Sequence, residues 1–304
     1  MNKTLRWHWL IQAFVATLLW SASKILIKLG LDVVSPMLLT GMVQLVAFVA
    51  IFIYAMSRRI KLVRKFSAKE VHALIWLGIL GFVVAPLLAI IGLTGVTGST
   101  AGLFASISPI FVIIFGWLIL REKLKSWQLI GAAVAFIGAY VFLFGSPFSG
   151  TTFGIILILV SELCYAMNVV LTRLIMRRPG DDAIVVGLTG AFIGALILLP
   201  LGLSQSRITE LAHPSAWVFI IAIGLIFAFA GVIWNQALNG LKAFEAGILQ
   251  NTMLVQIGLL SWTFLHEQFG YLQLIGAIIV LGGAYLVNRE LLKFKHVRSR
   301  NKAT

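Results

Sequence analysis

Two charged residues lie inside stretches of otherwise apolar sequence. Lys24 falls within "LLWSASKILIKLGL" and Glu162 within "ILILVSELCYAMNVVL". An amine and a carboxylate can form an ion pair, and a carboxylate can also bind and release a proton. The alternatives are that Lys24 extends its amine to the membrane surface and that Glu162 serves a helix contact. We take both residues as candidate ligands of a zwitterion, and Glu162 also as a candidate proton carrier.

Two aromatic residues accompany these charges. They are Trp20 and Tyr165, which are 145 residues apart and lie in the first and sixth apolar stretches. An aromatic ring can stack on a ligand or attract an ammonium group through its π face. The alternative is ordinary core packing. We treat Trp20 and Tyr165 as candidate binding residues.

A group of amide side chains forms a third polar feature. Asn235 lies near the end of one apolar stretch, and Gln250 and Asn251 lie within the next. Amides donate and accept hydrogen bonds without carrying charge, which suits the lining of a polar passage. They also serve as hydrogen-bonding contacts between helices in lipid, and the sequence leaves both roles open. Asn235, Gln250 and Asn251 complete the candidate binding residues.

The composition indicates the solvent in which these residues work. Of the 304 residues, 60% are hydrophobic and 11% are charged, and the mean hydropathy is +1.02. A soluble domain could not bury so much apolar surface, because its exterior needs more polar residues than this. Most of the chain must therefore lie in lipid.

Ten apolar stretches are long enough to cross a bilayer as helices. They cover residues 9–30, 35–57, 71–93, 99–120, 126–145, 154–176, 182–202, 215–238, 245–265 and 271–288. The segments between them are too short for an extramembrane domain. We predict an all-α membrane protein of ten transmembrane helices.

The basic residues predict the orientation of these helices. If the amino terminus is cytoplasmic, 21 of the 24 Lys and Arg residues fall in cytoplasmic segments, leaving Lys24, Lys28 and Arg207. Cytoplasmic loops retain Lys and Arg during insertion, so both termini are predicted to be cytoplasmic. The net charge of +14 is then a topology signal with affinity for anionic membrane lipid, and nucleic acid is not expected as a partner.

The chain repeats itself with a constant offset of 145 residues. "SWQLIGAAVAFIGAYVF" from Ser126 returns as "YLQLIGAIIVLGGAYLV" from Tyr271, and nine of the 20 positions from Glu122 to Val141 are identical to their partners. Glu122 itself pairs with Glu267, and we expect both to be structural, as helix caps or loop partners. The repeat predicts two related halves, residues 1–150 and 151–304, each of five helices. Because five is odd, the second half must be inverted in the membrane.

The repeated segments resemble a known family. "GLFASISPIFVIIFGWLILREKLKSWQLIGAAVAFIGAYV" and its second-half counterpart "GILQNTMLVQIGLLSWTFLHEQFGYLQLIGAIIVLGGAYL" are similar to the EamA-type, ten-helix members of the drug/metabolite transporter superfamily. The resemblance covers essentially the whole chain. It implies a central cavity lined by helices one, three, four, six, eight and nine. Similar members move amino acids, other metabolites and toxic organic compounds, and an amino acid or similar metabolite is the expected substrate.

Inverted repeats are a recurrent plan of secondary transporters, which hold substrate between the repeats. The expected function is transport of a small organic metabolite across the inner (plasma) membrane by alternating access, in the direction of export, with protons as a candidate coupling ion at Glu162. A lipid-translocating protein of the same fold is the alternative, and a scaffold or receptor would require a larger loop. The five histidines lack metal-site spacing, so neither an enzyme nor a cofactor is expected. Both a monomer and a homodimer remain compatible with the small-residue helix faces.

Overall fold

The computed structural model describes residues 3–60, 66–96, 101, 104–122, 125–144, 150–177, 182–206, 208–265 and 270–292. Within these ranges the chain is helical apart from its connections, and the β-structure is an isolated antiparallel bridge between Val96 and Gly150. Glu267 and the basic residues beyond position 292 lie outside the described residues.

The helices are numbered in chain order. They are α1 Lys3–Gly30, α2 Pro36–Ser57, α3 Ala68–Leu93, α4 Ser108–Leu120, α5 Ser126–Leu143, α6 Thr152–Met176, α7 Asp182–Gln205, α8 Pro214–Ala237, α9 Ala243–Gln250, α10 Thr252–Leu265 and α11 Tyr271–Leu292. A short 3₁₀ helix, Ile208–Ala212, precedes α8.

Eight of the ten predicted spans correspond to helices that are long and apolar enough to cross a membrane, as judged over the described residues. The other two are shorter in the structure. The predicted span 99–120 contains the 13-residue α4, and the span 245–265 is divided at Asn251 into α9 and α10. The sequence pattern did not predict the division, because apolar residues continue on both sides of the polar residues 250–252.

Local sequence explains where several helices begin. Pro36 and Pro214 each stand at the first position of a helix, where the missing N–H would have no intrahelical partner anyway. The Thr151 hydroxyl accepts a hydrogen bond from the Gly154 N–H at 3.1 Å and so caps α6.

Helix α3 contains a π-helical segment, Ile79–Val84, immediately before Pro86. Two side chains of α6 bond to backbone carbonyls on either side of this segment. Asn168 donates to the Leu77 carbonyl at 2.9 Å, and the Ser161 hydroxyl donates to the Ala85 carbonyl at 2.8 Å. The π-helical turn is thus held by hydrogen bonds from α6, and such turns occur frequently at functional sites.

Helices α5 and α11, which carry the repeated sequence, pack closely against each other. A Cβ on Gly138 would lie 2.5 Å from the Val280 nitrogen, and one on Gly283 would lie 2.5 Å from the Ala135 nitrogen. As the residue number rises along one helix, the contact on the other falls, so the two helices run antiparallel. Glycine is required here because any side chain would separate the backbones.

The remaining long helices pack in pairs. Helix α1 packs against α8, α2 against α7, and α3 against α6. The largest cluster of buried apolar side chains joins α1, α3, α6, α8 and α9, and includes Ala13, Leu77, Val170 and Ala237. The candidate charges at Lys24 and Glu162 belong to α1 and α6, so this arrangement determines how they face each other.

Candidate functional site

The charges of Lys24 and Glu162 interact electrostatically across the interior of the molecule. In the described part of the chain they do not form an ion pair at 4.0 Å or less. The Lys24 side chain has accessible surface, and Glu162 is partly buried. The two predicted charges therefore interact electrostatically without direct contact.

Glu162 has two further polar neighbours. Tyr165, one helical turn further along α6, interacts electrostatically with the carboxylate. On α4, the Ser108 hydroxyl donates to the Glu162 backbone carbonyl at 3.4 Å and also interacts with the carboxylate. A carboxylate, an amine, a phenol and a hydroxyl thus lie near one another. Such a set can bind a small molecule that carries both charges.

Trp20 lies one turn before Lys24 on α1 and packs on Trp234 of α8. The two ring centroids are 5.4 Å apart and the ring planes are inclined by 53°. Trp234 is buried, whereas Trp20 is only partly buried. Sequence reasoning missed Trp234, although it directly precedes the candidate Asn235. Part of the Trp20 ring thus remains available for another contact.

The amides predicted to line a passage are largely engaged with the backbone. Asn235 is buried and donates to the Ala183 carbonyl at 3.2 Å, which ties α8 to the first turn of α7. Asn251 is buried and donates to the Ser106 carbonyl at 3.4 Å. Neither bond reaches Lys24 or Glu162. Gln250 is partly buried, at the end of α9. The passage-lining role of the amides stays a prediction.

A buried neutral network joins α1 to α10. The Ser21 hydroxyl donates to Gln256 Oε1 at 2.9 Å, and Gln256 Nε2 donates to Thr17 Oγ1 at 3.2 Å. All three residues are buried. By the offset of 145 residues, Thr17 corresponds to Glu162. At this position the two halves therefore differ, because the residue is neutral in the first half and carries a carboxylate in the second.

Glu122 lies in a second charged group, the Glu122 cluster, formed with Arg173 of α6 and Arg177 directly after α6. Glu122 Oε1 lies 3.2 Å from Arg177 Nη2 and 3.5 Å from Arg173 Nε. Its other oxygen accepts from the Ala243 N–H at 3.0 Å, at the first residue of α9. Glu122 therefore caps a helix, which is the kind of role expected from the sequence. Its contacts with two arginines were not predicted, because they depend on tertiary packing.

Comparisons with known proteins show what the whole chain is similar to. The sequence profile of the EamA-like transporter family matches twice, over residues 7–144 and 152–289. The chain is 25% identical over 291 residues to the S-adenosylmethionine/S-adenosylhomocysteine transporter of Chlamydia trachomatis, covering 91% of this chain and 88% of that protein. It is 23% identical over 296 residues to an uncharacterised transporter of Methanothermobacter thermautotrophicus, covering 91% and 85%.

A solved crystal structure has the same fold. It superposes with a TM-score of 0.77 over 94% of this chain and 98% of the other, at 19% sequence identity.

Proposed function

Because the chain belongs to the EamA-like transporter family, and is a multi-pass membrane protein that moves a small molecule, we propose that its substrate is an amino acid or a similar zwitterionic metabolite. The observation that carries this proposal is the electrostatic interaction between Lys24 of α1 and Glu162 of α6. A zwitterion places a carboxylate beside the amine and an ammonium group beside the carboxylate. A multiply anionic substrate would instead require several basic side chains at this depth.

The aromatic residues suit the same class of substrate. Trp20 is only partly buried and Tyr165 neighbours Glu162, so an ammonium group bound by Glu162 would lie close to an aromatic ring. The Chlamydia relative is named as a transporter of S-adenosylmethionine, which itself carries an α-amino acid group. This supports amino-acid-bearing substrates as a class, without selecting one member.

The proposed mechanism is alternating access between two inverted five-helix halves, residues 1–150 and 151–304. Its support is the double family match, one match to each half, and the antiparallel packing of α5 and α11, which share their sequence. Each half of an inverted repeat can adopt the conformation of the other. An outward-open form therefore implies an inward-open counterpart. The proposed direction is export across the inner membrane. Both termini are placed in the cytoplasm, and the distribution of basic residues supports that topology.

Proton coupling is assigned to Glu162. The carboxylate faces Lys24 from α1, Tyr165 from its own helix and Ser108 from α4, so its protonation would change the net charge of the whole group. Binding of a proton would release Lys24 from its counter-charge. The two charges would therefore respond together to pH.

The test is transport by the purified protein in proteoliposomes, with a panel of radiolabelled amino acids, S-adenosylmethionine, amines and sugar phosphates. Saturable transport of zwitterions, competed by other zwitterions, is the expected result. Selective transport of sugar phosphates would contradict the proposal. Movement of a fluorescent phospholipid between leaflets in the same vesicles would instead indicate a lipid-translocating protein.

A further inference from the structure

We propose that the Glu122 cluster is a latch that closes the cytoplasmic end of the transport pathway and opens once in each cycle. The proposal rests on the transport function inferred above, and it assigns a positioning role to Glu122, Arg173 and Arg177. None of the three belongs to the proposed substrate site.

The geometry of Glu122 suggests this role. The carboxylate is buried and follows the last residue of α4 by two positions. Through its two oxygens it contacts both arginines and the first backbone N–H of α9. One side chain thus holds three helix ends together. These ends belong to both halves of the chain.

The arginines extend the cluster to a fourth helix. Arg173 donates from Nη1 to the carbonyls of Leu238 and Asn239, directly after α8. Arg177 donates from Nη2 to the Leu120 carbonyl at 2.9 Å, at the end of α4. The last carbonyls of a helix lack intrahelical donors and carry partial negative charge, so a guanidinium is a suitable partner for them.

This arrangement has two discrete states. With the four helix ends together, the buried carboxylate has two cationic partners and a backbone donor. If the ends separate without water entering, Glu122 is left as an uncompensated charge, which is strongly unfavourable. If water enters, the charges are solvated and the end is open. The cluster therefore favours either a closed end or a hydrated one, as a gate requires.

The positions related to the cluster by the repeat, towards the opposite membrane face, carry a different set of charges. The offset of 145 residues relates Glu122, Arg173 and Arg177 to Glu267, Lys28 and Asp32. The first group has one negative and two positive charges, whereas the second has two negative charges and one positive charge. An identical latch therefore cannot form at that end. We infer that the substrate-free transporter rests with its cytoplasmic end closed.

The experiment measures access from each face of the membrane to a single cysteine. Cys164 is the one native cysteine and is replaced by alanine, and Gln250→Cys supplies the reporter. Gln250 is seven residues beyond Ala243, which places it about 10 Å deeper than the latch. A membrane-impermeant maleimide is added to inside-out or right-side-out vesicles. Labelling from the cytoplasmic face should be slow in this background.

Adding Glu122→Gln should raise the rate of cytoplasmic labelling about tenfold and lower labelling from the other face. A closed two-state protein commonly keeps its open form at about 0.1–10%, which leaves room for such an increase. The matched control is Glu210→Gln. Glu210 also accepts from a backbone N–H, that of Ser35 at 2.8 Å, but it lies beyond the other end of α8. It should not raise cytoplasmic labelling.

Arg177→Gln is the second variant, because the Arg177 side chain is 37% exposed and its loss should disturb folding less. Size-exclusion chromatography in detergent identifies the variants that remain folded. Cytoplasmic labelling that stays at the background rate in folded Arg177→Gln protein would overturn the latch.

Failure of the latch and failure of the proposed function are distinguishable. Faster labelling without zwitterion transport would preserve the gate and reject the substrate class. Zwitterion transport with unchanged labelling would preserve the substrate class and reject the gate.

Discussion

Asn251 donates a hydrogen bond from Nδ2 to the carbonyl oxygen of Ser106, at 3.4 Å, and the two residues are 145 positions apart in the chain. That spacing is the offset of the internal repeat, so corresponding positions of the two halves are in contact. Ser106 lies in the turn two residues before the short helix α4, and Asn251 separates α9 from α10. Both predicted spans that lack a single long helix are therefore interrupted at the same point of the repeat.

The first prediction concerns Lys24. Lys24→Ala should raise the KM for a zwitterionic substrate roughly tenfold or more, because a hydrogen bond to a charged group contributes about 1.5–3 kcal/mol and about 1.4 kcal/mol is tenfold in affinity. Initial rates of uptake over a range of substrate concentrations would measure it. Lys28→Ala is the control, since Lys28 is also an exposed lysine of α1. Equal KM values for the two variants would remove Lys24 from the site.

The second prediction concerns Glu162. Glu162→Gln should make transport insensitive to pH, because an amide cannot exchange the proton that we assign to the carboxylate. Transport rates measured over a pH series, with and without an imposed proton gradient, would test this. Unchanged pH dependence in the variant would place the coupling group elsewhere. Glu70→Gln is a suitable control, since Glu70 serves a capping box at the start of α3.

The third prediction compares two adjacent glycines of α11. A Cβ on Gly283 would lie 2.5 Å from the Ala135 nitrogen, whereas a Cβ on Gly282 meets nothing within 4 Å. Gly283→Ala should therefore destabilise the protein by about 1–3 kcal/mol through overpacking. Gly282→Ala should leave stability unchanged or slightly raised, because alanine favours helix. Thermal unfolding in detergent would distinguish them, and equal Tm values would contradict the close packing of α5 and α11.

The fourth prediction tests whether the buried network of Thr17, Ser21 and Gln256 stabilises the fold or binds substrate. Gln256→Leu removes one hydrogen-bond partner each from the buried Ser21 and Thr17 hydroxyls, which keep their backbone acceptors, and a hydrogen bond contributes about 0.5–1.5 kcal/mol. The Tm should fall, while the KM of the folded protein should stay near the wild-type value. Gln205→Leu, at an exposed position at the end of α7, should change neither quantity. A large increase in KM for Gln256→Leu would place this network in the substrate site.

Much of the architecture could be predicted from sequence, because lipid imposes a simple rule on the backbone. Long apolar runs become helices, and eight of the predicted spans do so. The break at Asn251 and the π-helical segment of α3 could not be predicted in this way. Both depend on hydrogen bonds from distant residues, such as the one from Asn168 to the Leu77 carbonyl.

The candidate site was only partly accessible from sequence. The cost of burying charge predicts that Lys24 and Glu162 are partners in lipid, and the two groups interact electrostatically in the structure. Amides do not carry that constraint, because any nearby carbonyl can satisfy them. Asn235 and Asn251 donate to the carbonyls of Ala183 and Ser106, contacts that sequence could not predict, and their place along a passage stays a prediction.

The difference between Thr17 and Glu162 affects the orientation of a zwitterionic substrate. The two halves share a repeated sequence, but at this repeat position α6 carries a negative charge and α1 carries a neutral residue. A zwitterion would therefore keep the same orientation in the inward-open and outward-open forms, with its ammonium group towards α6. The same side chains would contact its two charged ends on binding and on release.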